Sequence, residues 1–89
     1  MLTIKPLPYC NVGYSAGSVT FEVECDLKWH LCKLSTSENW TTPELTDSGF
    51  IIKYQENMTT KIRKAFFYVF AGGAKKLITV EQIPRGVGS

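Results

Sequence analysis

The sequence predicts an all-β domain, an immunoglobulin-like antiparallel β-sandwich of about seven strands. Three observations carry this prediction. Alternation of apolar and polar residues with a period of two dominates the chain, and no segment sustains an apolar stripe of period 3.6. Short β-branched and aromatic runs are punctuated by turn residues at the spacing of a sandwich.

The head, residues 2–13, contains Pro6 and Pro8, so it should form only a short or edge strand. Ser18 to Cys25 alternates cleanly, with Val19, Phe21, Val23 and Cys25 on one face and Thr20, Glu22 and Glu24 on the other. Ala16-Gly17 before it and Asp26 after it delimit the strand. Lys28 to Leu34 follows, with Trp29 and Leu31 sharing the core face. The polar stretch from Ser35 to Ser48, with Pro43 inside it, reads as a long connection anchored by Trp40. Gly49 to Tyr54 restarts the strands, placing Phe50, Ile52 and Tyr54 on one side, and Gln55 to Thr60 turns the chain back.

Residues 63–82 are the most informative stretch. Gly72-Gly73 lies between an aromatic and a β-branched run, the signature of a two-residue hairpin with both glycines at positive φ. That turn pairs Ala71 with Ala74, Phe67 with Ile78, Ala65 with Val80 and Lys64 with Glu81. One face then carries Ala65, Phe67, Ile78 and Val80 and belongs to the core. A one-residue slip would bury Lys64 and Glu81 instead. The other face carries Phe66, Tyr68, Phe70 and Leu77 among Lys64, Lys75, Thr79 and Glu81. Three aromatics on a face that should meet water call for a ligand, or for cover by the proline-containing head, the 35–48 loop or a neighbouring domain.

Length and composition limit the possibilities. Eighty-nine residues make one domain: residues 1–83 as a single module, residues 84–89 as a linker or appended tail. The chain is 44% hydrophobic and 20% charged, the make-up of an ordinary globular domain. A net charge of +2 gives no argument for nucleic acid. No apolar run is long enough for a membrane span, and Met1 to Lys5 is not a signal peptide, leaving a cytoplasmic protein or a piece of a longer secreted chain. The tail favours the second.

Catalysis has little to stand on. The lone His30 sits in a strand, and Glu22, Glu24, Asp26, Glu44 and Asp47 are scattered, so neither a nucleophile nor a carboxylate pair is expected. Cys10, Cys25, His30 and Cys32 match no zinc spacing; two small buried thiols and a surface histidine are expected, with a Cys25–Cys32 bridge left open. No metal and no cofactor is predicted. Asn39-Trp40-Thr41 and Asn57-Met58-Thr59 have the glycosylation pattern, but Asn57 reads as a turn residue.

With the strands placed, the order of landmarks resembles the BACON family (Bacteroidetes-associated carbohydrate-binding often N-terminal). The landmarks are the Ala16-Gly-Ser-Val-Thr-Phe-Glu-Val23 strand, Trp29 early in the next, Trp40 in the following loop, and Ser48-Gly49 opening another. Asn57, the Arg63-x-Ala65-x-Phe67-x-Val69 strand, the Gly-Gly turn and a last strand ending Thr79-Val80-Glu81-Gln82 complete it, over about residues 9–82. Residues 66, 68 and 70, usually small or polar in that family, are aromatic here, and the three cysteines are not a family feature. The resemblance implies a β-sandwich accessory module without catalysis, in a longer secreted, periplasmic or cell-surface bacterial protein, often beside carbohydrate-active enzymes.

The expected activity is glycan binding by a monomeric module, with Phe66, Tyr68 and Phe70 as stacking rings. Lys75 would lie opposite Phe70 as a cation–π and rim partner, and Trp40 would add a loop platform. Residues two apart on a strand are roughly 6.7 Å apart, so the three rings span about 13 Å. The expected partner is a polysaccharide or a glycoprotein glycan, or else a neighbouring domain of the parent chain. In the alternative reading the module is a spacer or a protein–protein contact with no ligand of its own.

Overall fold

A computed structural model describes residues 2–5, 7–34 and 39–85. Its described residues form eight strands and no helix: β1 (Thr3–Lys5), β2 (Tyr9–Val12), β3 (Gly17–Glu24), β4 (Trp29–Lys33), β5 (Thr41–Leu45), β6 (Gly49–Tyr54), β7 (Arg63–Ala71) and β8 (Ala74–Gln82). Sheet I has the order β1-β3-β6-β5 and sheet II the order β2-β8-β7-β4. The predicted β-sandwich is therefore present, with eight strands where about seven were expected.

The hairpin register holds throughout: Phe67 pairs with Ile78, Ala65 with Val80, Lys64 with Glu81. The turn differs in detail. Only Gly72 has positive φ, 59°, the pattern of a type II′ turn, in which the first central residue alone is left-handed.

Two further differences concern edges. The stretch from Ser35 to Ser48 is not all connection, because residues 41–45 add β5 to the rim of sheet I. Pro43 is tolerated there because one side of an edge strand makes no ladder bonds. Residues 35–38 of that connection lie outside the described residues. The head, expected as one short or edge strand, supplies two: β1 pairs antiparallel with β3, and β2 crosses to sheet II and runs parallel to β8. The sandwich is thus mixed, not purely antiparallel.

The core lies between the sheets. Phe21, Phe50, Ile52, Phe67, Val69, Ile78 and Val80 are fully buried, and Phe21 stacks on Phe50 with centroids 4.9 Å apart. Val23 and Trp29 are half-buried; Trp29 leans on Phe50 at 6.0 Å. The three cysteines are free thiols; where buried ones were expected, Cys10 and Cys25 are half-buried and Cys32, on the outward side of its strand, is exposed, and partial burial raises the pKa of Cys10.

One pole is held by polar groups. Gln82, wholly buried, donates to the carbonyls of Gly13, Tyr14 and Gln55 and accepts from Arg63 Nε at 2.8 Å. Buried Asn57 donates to Lys61 and Gln82 carbonyls and accepts from Thr59. Asn57 is thus the expected turn residue, but an inward-facing one. Pro84 is buried, and Arg85 donates its N–H to Asn57 and pairs with Glu56 at 3.0 Å, so contacts with the sandwich run past residue 83. Residues 86–89 of the predicted tail lie outside the described residues.

Candidate functional site

Alternation along β7 and β8 turns Phe66, Tyr68, Phe70, Leu77, Thr79 and Glu81 to the outside of sheet II, and the neighbouring strands complete the face. Three cross-strand rows result. Lys75, Phe70 and His30 form the first; Leu77, Tyr68 and Cys32 the second; Tyr9, Thr79 and Phe66 the third. Leu34, just past β4, donates its N–H to the Phe66 carbonyl at 3.0 Å and is 42% exposed beside that row.

The face is accessible but uneven. Phe70 is 36% exposed, Leu77 44% and Tyr9 46%, while Phe66 and Tyr68 are half-buried by their neighbours. The rings of Tyr68 and Phe70 lie 5.7 Å apart and are inclined by 51°, so the row is stepped, not flat. Lys75 faces Phe70 in the register, yet its ammonium sits 4.5 Å from the Tyr68 ring centroid. The long lysine stem reaches diagonally to a phenol, corroborating a cation–π contact but with a different ring. At the far end Tyr9 donates its hydroxyl to the Glu81 carboxylate, which raises the tyrosine pKa, and Lys64 stands 3.6 Å from the same carboxylate.

Trp40 does not belong to this face. It is 6% exposed, with the Arg63 guanidinium 4.4 Å above its ring, at the polar pole. It accepts the Gln55 N–H on its carbonyl, which fastens the start of β5 to the end of β6. Its role is to close the sandwich, because a large ring entering an edge strand gains more from core burial than from water. Thr79, expected on the open face, is 5% exposed: β2 pairs beside it, and its N–H goes to the Pro8 carbonyl.

Tyr9, His30, Cys32 and Leu34 are members of the face that sequence reasoning missed. His30 and Cys32 share a strand face as alternation requires, but only the β4–β7 pairing puts that face beside the aromatic row. Among the described residues, no group of three or more His, Cys, Asp and Glu side chains is gathered closely enough to hold a metal ion.

The outer face of sheet I has the opposite character. Thr3, Thr20, Thr42 and Ser18 line it around a half-buried Ile51, and ion pairs Lys5–Glu24 (2.5 Å) and Lys53–Glu44 (2.8 Å) cross it. That face is built for water.

No protein-family model and no curated protein matches the chain. Solved structures do. A Bacteroides ovatus GH5 xyloglucanase, determined in complex with a XXXG heptasaccharide, superposes on the whole of this chain with a TM-score of 0.78 and 22% identity. The chain spans 20% of that protein. A Bacteroides thetaiotaomicron protein solved by NMR superposes on 89% of this chain with a TM-score of 0.73 and 16% identity, over 78% of its own length. At these identities the likeness shows a shared sandwich fold.

Proposed function

We propose that the chain is a non-catalytic accessory module of the BACON type. Its setting is a longer secreted or surface bacterial protein that acts on carbohydrate, and its glycan-holding surface is the outer face of sheet II. The observation that carries this reading is the contrast between the two outer faces. Sheet I closes its own with ion pairs and threonines, while sheet II leaves Phe70, Leu77 and Tyr9 open around Tyr68 and Phe66. Occurrence of the same sandwich within an oligosaccharide-bound xyloglucanase fits this setting.

Sugar C–H groups pack on aromatic faces while their hydroxyls stay hydrogen-bonded at the rim. Phe70 is the most open ring of the row, with Lys75 and His30 as its cross-strand neighbours. Calorimetry of the chain against soluble plant and host polysaccharides tests the reading. Phe70→Ala is expected to weaken binding by about 1 to 3 kcal/mol while the domain stays folded, because the ring lies outside the core between the sheets. The affinity is expected to be nearly independent of salt, since stacking releases no counterions. Absence of binding at millimolar glycan refutes the glycan-holding role.

A second reading, a spacer whose face packs on a neighbouring protein domain, is favoured by one observation. The 51° step between Tyr68 and Phe70, with Lys75 over Tyr68, suits a protein surface better than a flat polysaccharide.

A further inference from the structure

The strand nearest the N-terminus and the strand nearest the C-terminus of sheet II are neighbours and run parallel: Tyr9 pairs with Thr79, Cys10 with Val80, Asn11 with Glu81 and Val12 with Gln82. Chain enters β2 at one pole and leaves β8 at the other, along a body 46 Å long and 24 by 17 Å across. We propose that this seam makes the domain load-bearing: tension along the polypeptide pulls β2 and β8 in opposite directions and is carried by the seam in shear.

The physics follows from the direction of the bonds. Hydrogen bonds of a parallel pair are evenly spaced and run at a slant from strand to strand. A pull along the strands therefore loads them together, whereas a pull across the strands opens them one at a time. The Thr79 N–H to Pro8 carbonyl bond (2.8 Å) and the Ile83 N–H to Val12 carbonyl bond (3.3 Å) bound the ladder at its two ends.

Side chains reinforce both ends as well. Tyr9 reaches from β2 to Glu81 on β8, and Lys64 on β7 approaches the same carboxylate. At the other end Gln82 of β8 holds the carbonyls of Gly13 and Tyr14, the residues that follow β2. Beyond it, Pro84 is buried and Arg85 is fixed to Asn57 and Glu56, so the pull reaches β8 through packed chain. At the opposite pole, β1 makes three pairs with β3, one fewer than the seam. This property needs no glycan and holds under either reading of the outer face.

Single-molecule force spectroscopy on the 89-residue chain tests it in two geometries. In the first, handles are attached at the two termini. In the second, one handle is at the C-terminus and one at residue 13, where a side chain replacing Gly13 would meet nothing within 4 Å. The second geometry peels the same seam from its Val12 end. The expected result is an end-to-end rupture force severalfold above the peeling force; equal or lower force end to end overturns the proposal. Tyr9→Phe is expected to lower only the end-to-end force, because peeling reaches Tyr9 last. Equal loss in both geometries, or none in either, refutes the assignment of the load to this seam.

Discussion

Replacing Gly49 with alanine adds one methyl group at the tightest point between β3 and β6. Gly49 is buried and pairs with Glu22, and a Cβ there would lie 1.9 Å from the Phe21 carbonyl oxygen and 2.9 Å from the Glu22 Cα. Its φ is not positive, so the whole cost is steric. Both obstructing atoms are backbone, and no side chain can swing aside. Relief requires the strands to part by about 1 Å, which takes the 2.9 Å Val23 N–H to Ser48 carbonyl bond beyond hydrogen-bonding distance. It also disturbs the Phe21–Phe50 stack directly beneath. Loss of one or two backbone bonds costs about 0.5 to 1.5 kcal/mol each, and overpacking a dense core adds about 1 to 3 kcal/mol. A loss of about 4 kcal/mol is therefore expected, a large part of the stability of a domain this size. At about 4 to 8 °C per kcal/mol, the melting temperature should fall by about 15 to 30 °C in calorimetry. Gly49→Ser should behave alike, since it brings the same Cβ. A Gly49→Ala protein melting within about 2 °C of the parent would refute the close approach of β3 and β6 at this pair.

Two other outcomes follow from the polar contacts. Gln82→Met keeps the bulk but withdraws the donor to Gly13, Tyr14 and Gln55 and the acceptor for Arg63 Nε, so denaturant unfolding should show a loss of about 3 kcal/mol; a change below about 1 kcal/mol would contradict the pole. The hydrogen bond to Glu81 raises the Tyr9 pKa above its usual value of about 10 in the folded state, so the native chain holds that proton more tightly than the unfolded one. The contribution is complete below pH 10 and disappears as pH rises through the raised value. Thermal melts of the parent and Tyr9→Phe should therefore differ most below pH 10 and converge as pH rises through the raised value. Lys5, also raised, by its hydrogen bond to Glu24, titrates equally in both proteins and cancels.

The sequence by itself determined the pairing and facing that follow from a short turn and strict alternation. The Gly72-Gly73 turn sets the β7–β8 register because a two-residue loop leaves one pairing open, and alternation then decides that Phe67 and Ile78 face in while Phe66, Tyr68 and Phe70 face out. The alternating Ser18 to Cys25 run likewise placed Phe21 in the core. Tertiary structure decided what depends on contacts distant along the chain. No local pattern says that the head crosses to the other sheet and lies parallel to β8, so Tyr9 joined the aromatic face and Thr79 was covered only once the strands were assembled. Trp40 stands in a polar stretch that reads as a loop. It is buried because Thr41–Leu45 pairs with β6 and Arg63 reaches over the ring from β7. Lys75 has Phe70 as its register partner, but a flexible stem chooses among all rings within reach, and Tyr68 holds the ammonium. Pairing between distant strands and the conformation of long side chains are set by the folded surroundings, and a period-two pattern encodes neither.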